Sequence, residues 1–126
     1  MRGAKILNSE QLFKTKIVHL ILSKKPEDAL KALSQYYNVI TPELKVGMPK
    51  GHRKNVGCYI AKKTTIYVSN LNELYEPYVI LHEFYHHLRT YNIKHRGTEK
   101  HAERFAKDYI ETYKIASRSR IGSQVV

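Results

Sequence analysis

Two histidines four residues apart with a glutamate after the first, His82-Glu83-Phe84-Tyr85-His86, form the most informative stretch of this chain. On a helix, residues at i and i+4 lie on one face with β-carbons about 5–6 Å apart, so both imidazoles reach one ion at roughly 2.0–2.1 Å. Glu83 is rotated by about 100° from His82, which keeps it off the ion and beside a water that the ion holds. Zinc acidifies such a water, a carboxylate takes its proton, and the same metal polarises a carbonyl for attack. The spacing therefore predicts zinc-dependent hydrolysis of a peptide bond, with His82 and His86 as ligands and Glu83 as general base.

A catalytic zinc takes three protein ligands and keeps a fourth position open, so another residue must join the pair. Glu99, His101 and Glu103 are the candidates on the next predicted helix. His101 and Glu103 flank its apolar stripe on opposite sides at about 100° from the centre, and Glu99 lies nearer the stripe but in the first turn. Geometry leaves the choice open. Ten tyrosines offer hydroxyl donors for a developing oxyanion, Tyr85, Tyr91 and Tyr109 among them, and no spacing selects one. His87 is turned away from the ligand face and is expected to pack or hydrogen-bond. His19, His52 and His95 have no partner at metal spacing. Cys58, the single cysteine, is expected to be a small buried hydrophobe.

The positioning elements can be read from periodicity and caps. Leu12, Phe13, Ile17, Leu20 and Ile21 predict a helix over 9–22, and Pro26 with Glu27 and Asp28 opens a second that ends near Asn38. A short strand is expected around 43–46. Met48 to Asn55 reads as an exposed basic loop, followed by a hairpin of 57–61 and 64–69 around Lys62-Lys63. A helical pattern then begins at Leu71, with Pro77 near its N-terminal turn. The last helix is expected to start at Thr98, as N-cap, and to end near Ile115. These elements make one α+β domain over 1–116, with 117–126 as a flexible basic tail.

Family resemblance adds to this. The order of helix, small hairpin, HExxH helix and ligand helix resembles the minimal zincin peptidases, with ImmA/IrrE-like and minigluzincin-type peptidases nearest and SprT-like proteases also similar. The Glu-Ala-x-x-Phe-Ala pattern of the first groups corresponds to His101-Ala102-Glu103-Arg104-Phe105-Ala106, which implies His101 as third ligand. Gly57-x-Tyr59 and Thr64 to Val68 resemble the hairpin that precedes the active-site helix. The resemblance implies a minimal zincin-like fold with N-terminal helices, a small three-stranded sheet, the HExxH helix and a C-terminal ligand helix.

The formal net charge is +11. Lys45, Lys50, Arg53, Lys54, Lys62 and Lys63 fall in a stretch without acids, so weak, salt-sensitive binding to nucleic acid through a basic surface is expected beside a protein or peptide substrate. The rival to an enzyme is a basic nucleic-acid-associated protein with a structural or vestigial zinc site, or a SprT-like protease recruited to DNA. No apolar run approaches the ~20 residues of a membrane span, no signal-peptide h-region is present, and the lone cysteine suits a reducing compartment. A cytoplasmic location without membrane association is the expectation.

Overall fold

The computed structural model describes residues 7–91 and 97–125, with side chains described up to residue 118. Helix α1 spans Ser9–Leu22. Its start is a capping box: the Gln11 N–H donates to Asn8 Oδ1 at 2.7 Å, and the Asn8 N–H donates to Gln11 Oε1 at 3.0 Å. Helix α2, Pro26–Tyr37, opens on a proline whose missing N–H costs nothing at that position, and Asn38 closes it at φ 58°.

Three short strands follow: β1 (Glu43–Val46), β2 (Gly57–Ile60) and β3 (Thr65–Val68). Between β2 and β3 the chain turns through a 3-10 segment, Ala61–Lys63, and Thr64 at φ 50°. The sheet order is β1-β3-β2, with β1 parallel and β2 antiparallel to β3. Strand β3 is buried throughout, as a central strand must be, and among the described residues one edge of β2 is left unpaired.

The helical pattern that begins at Leu71 resolves into two elements, α3 (Leu71–Leu74) and α4 (Pro77–Tyr91). Pro77 is the reason: it lacks an N–H to continue α3 and suits the first turn of a new helix. Helix α5 spans Glu99–Val125, longer than the expected end near Ile115 and running through the segment expected to be a flexible tail. No proline interrupts that stretch, and extending an existing helix requires no new nucleus. The core lies around α4, on which α1, α2, α5 and β3 all pack, with Ile17, Leu30, Leu33, Ile66, Ile80, Leu88 and Tyr109 among its residues. The result is an α+β fold with a small mixed sheet, and among the described residues no helix is long and apolar enough to cross a membrane.

Candidate metal centre

Helix α4 is buried on most sides, and its ligand face opens on a cleft. Val79, Ile80, Leu81, Phe84 and Leu88 anchor it in the core, while His82 and His86 remain part-exposed on the cleft wall. Their rings stand 5.3 Å apart, centre to centre. His82 Nε2 lies 3.0 Å from one carboxylate oxygen of Glu99, and His86 Nε2 lies 3.0 Å from the other. The ligand atoms of His82, His86 and Glu99 all fall within 4.8 Å of one another. Three ligands about 2.1 Å from a shared centre at tetrahedral angles stand about 3.4 Å apart, so this donor set fits a metal ion with little adjustment.

The third member of the cluster is thus Glu99, one of the two alternatives to His101. Thr98 caps α5 as expected: its hydroxyl accepts from the His101 N–H at 3.2 Å, and its carbonyl accepts from the Ala102 N–H at 3.1 Å. The His101 imidazole turns back onto that cap, its Nδ1 against the Thr98 hydroxyl, and is not part of the cluster. Glu99 shares the side of α5 that carries the buried Ala102, Ala106 and Tyr109, the side packed towards α4. Its nearness to the apolar stripe was the available signal. Glu103 stays outside the cluster, close enough to His82 and Tyr78 for its charge to act on both.

Glu83 is 8% exposed and stands beside the cluster as its offset predicts. His82 Nδ1 lies 3.3 Å from Glu83 Oε2, a contact that leaves Nε2 to face Glu99 when Nδ1 carries the proton. This hydrogen bond, opposed by burial and reinforced by the charges of Glu83, Glu99 and Glu103, raises the His82 pKa. The cleft reaches Glu83 because of Gly57. A β-carbon on Gly57 would stand 2.8 Å from Val79 Cγ1 and 3.4 Å from Glu83 Cγ, so only glycine lets β2 come this close to α4.

His87 is fully buried and does not join the cluster. Its Nε2 is 2.7 Å from the Ile40 carbonyl, which can only accept, so Nε2 carries the proton and Nδ1 accepts from the Tyr59 hydroxyl at 2.8 Å. Burial holds its pKa down and keeps the ring neutral, which suits this arrangement. One side chain on α4 therefore pins both β2 and the chain leading into β1.

That bond also discriminates between the tyrosines. Tyr85 is buried against Phe105, the Tyr109 hydroxyl meets that of Tyr37 at 2.7 Å, and Tyr91 lies outside the cleft against His87. Among the described residues Tyr59 and Tyr78 line the cleft. The Tyr59 proton is committed to His87. Tyr78 sits one turn before His82 with its ring 5.6 Å from the imidazole, and its hydroxyl has no hydrogen-bond partner among the described residues. Burial, then the charges of Glu103 and Glu99, raise its pKa, so the phenol keeps its proton.

The remaining candidates fall in ordinary places. His19 approaches the Ser23 hydroxyl at 3.4 Å, His52 lines the cleft away from the cluster, and His95 lies outside the described residues. Cys58 is buried as expected, and burial together with the Glu83 charge pushes its thiol pKa up, against reactivity. Comparison with protein families, with curated proteins and with solved structures returns no match for this chain.

Proposed function

We propose that this protein is a zinc-dependent peptidase of zincin type, with His82, His86 and Glu99 as metal ligands and Glu83 as general base. One observation carries the proposal: two imidazole Nε2 atoms and a carboxylate converge on the wall of an open cleft, with a second, non-ligating carboxylate beside them. Two nitrogen donors and one oxygen donor suit zinc. Bound there, zinc supplies Lewis-acid polarisation of a substrate carbonyl and the acidification of water.

The chain's own groups supply the rest. Glu83 takes the proton of the attacking water on its carboxylate and returns it to the departing amine. The Tyr78 O–H donates to the carbonyl oxygen as charge develops on it. The free edge of β2 holds the substrate backbone by main-chain hydrogen bonds, a sequence-tolerant way to keep an extended peptide beside α4. The Tyr59–His87–Ile40 chain of hydrogen bonds keeps that edge at a constant distance from the ligand helix.

The rival, a basic binding protein with a structural site, would require a fourth protein ligand. The cluster holds three among the described residues, and Cys58, although it lines the cleft, is not one of them. This favours an enzyme. The deciding experiment compares wild type with Glu83→Gln for metal content and for cleavage of an unstructured protein. Zinc should remain at one per chain in both, while cleavage falls by about 10²–10⁴-fold in the variant. Equal cleavage, or zinc lost together with activity, would refute the assignment of Glu83.

A further inference from the structure

We infer that the cleft selects polypeptide segments with acidic side chains, held by a basic rim of Lys50, His52, Arg53, Lys54 and Arg89; the inference rests on the peptidase function proposed above. His52, Lys54 and Arg89 line the cleft itself. A second recess, which adds Lys50 and Arg53, shares His52, Lys54 and Asn55 with it and so continues the same surface. The rim borders the place where a peptide on the β2 edge would lie, because Lys54 is close in sequence to Gly57, the first residue of that strand.

The charge on this rim is not neutralised from within. Elsewhere Lys14 is paired with Glu10 and Asp108, and Lys45 with Glu43. Among the described residues Lys50, Arg53, Lys54 and Arg89 have no ion pair. The carboxylates that line the cleft are Glu83 and Glu99, and both are engaged with the histidines. Lys54 and Arg89 thus line a cleft whose described carboxylates are both engaged with histidines, and Lys50 and Arg53 line the recess that adjoins it. Lys54 and Arg89 share the cleft lining with Gly57, Cys58 and Tyr59 of β2, and exposed charges act on a bound peptide over the Debye length of about 8 Å at physiological salt.

The loop that carries them is built rather than extended. The His52 N–H donates to the Pro49 carbonyl at 3.0 Å, the Asn55 N–H to the His52 carbonyl at 3.1 Å, and Ser69 on the neighbouring strand's end ties Val56 at 2.9 Å. Gly51 makes the first turn possible at φ 90°. An acidic peptide fits this surface better than nucleic acid does. Single strands bind on aromatic faces that accept stacked bases, and the two tyrosines of the cleft have their rings against His87 and His82.

The test uses the zinc-loaded full chain carrying Glu83→Gln and two labelled peptides of equal length that differ only in Glu against Gln at several positions. Fluorescence anisotropy should show the acidic peptide bound about tenfold more tightly at low salt, since each exposed ion pair contributes up to about fivefold, with the advantage shrinking as salt rises. Replacing Lys50, Arg53, Lys54 and Arg89 with Ser should bring the ratio close to one while zinc content and helicity stay constant. Equal affinity for the two peptides, or a preference that survives the replacements, would overturn the inference. Tighter binding of a single-stranded oligonucleotide that displaces the acidic peptide would assign the rim to nucleic acid and overturn it as well. These ratios are measured without turnover, so failure of the wild type to cleave either peptide counts against the peptidase function alone.

Discussion

Replacement of Glu99 is the most direct test of the metal centre, because Glu99 and His101 are two residues apart and the resemblance to minimal zincins points to the other one. In the structure the two Glu99 oxygens contact His82 Nε2 and His86 Nε2, each at 3.0 Å, whereas His101 is turned onto Thr98. Structural zinc sites with four ligands bind with about 10–16 kcal/mol, or roughly 2.5–4 kcal/mol per ligand if shared evenly. At about 1.4 kcal/mol per factor of ten, Glu99→Ala should weaken zinc binding by roughly 10²–10³-fold. His101→Ala removes a contact at the exposed start of α5 and should change zinc affinity by less than about twofold, with a stability loss of the order of 0.5 kcal/mol. Competition against a chromophoric chelator gives both affinities, and circular dichroism of the same preparations shows whether α5 is intact. Loss of zinc in His101→Ala with full retention in Glu99→Ala would refute the geometry of the cluster.

Two further outcomes are expected. Tyr78→Phe keeps the ring against His82 and removes only the hydroxyl, so kcat should fall by about 10²-fold with KM and zinc content unchanged, and an unaltered kcat would remove Tyr78 from the reaction. His87→Leu deletes two part-buried hydrogen bonds, of 2.7 and 2.8 Å, to the Ile40 carbonyl and the Tyr59 hydroxyl; urea unfolding should show a loss of roughly 1–3 kcal/mol, and a loss below about 0.5 kcal/mol would show that His87 does not pin the strand.

What could be read in the sequence is what local rules encode. Pro26 before two acids and Thr98 ahead of α5 mark helix starts through chemistry confined to near neighbours, and each is found where it is expected. The pairing of His82 with His86 and the offset of Glu83 follow from 3.6 residues per turn alone. The third member of the cluster depends on something else, the way α5 is laid against α4. Within one turn of α5, Glu99, His101 and Glu103 all offer a ligand atom, and the side chain delivered to the histidines is chosen by burial of Ala102, Ala106 and Tyr109. A motif register taken from other families says nothing about that rotation. The strand order was equally hidden: the hairpin was visible in the β-branched runs, but the parallel pairing of Glu43–Val46 with β3, which leaves β2 as an edge, is a long-range contact with no local signature.

The same distinction explains why two residues without an assigned chemical role matter to the cleft. Gly57 reads in the sequence as the start of a strand and His87 as the histidine next to a ligand. In the fold they are two of the points at which β2 is held to α4, one by the absence of a β-carbon against Val79 and Glu83, the other by a buried imidazole that reaches both Tyr59 and Ile40. With Gly57 setting how close the strand comes and His87 setting where Tyr59 rests, the free edge of β2 runs at a fixed offset from His82 and His86. A peptide on that edge would present its carbonyls at a height decided by these two contacts. In the proposed function the HEFYH helix supplies two ligands and the base, and the distance from them to a scissile bond would be set by packing that no spacing of chemical residues reveals.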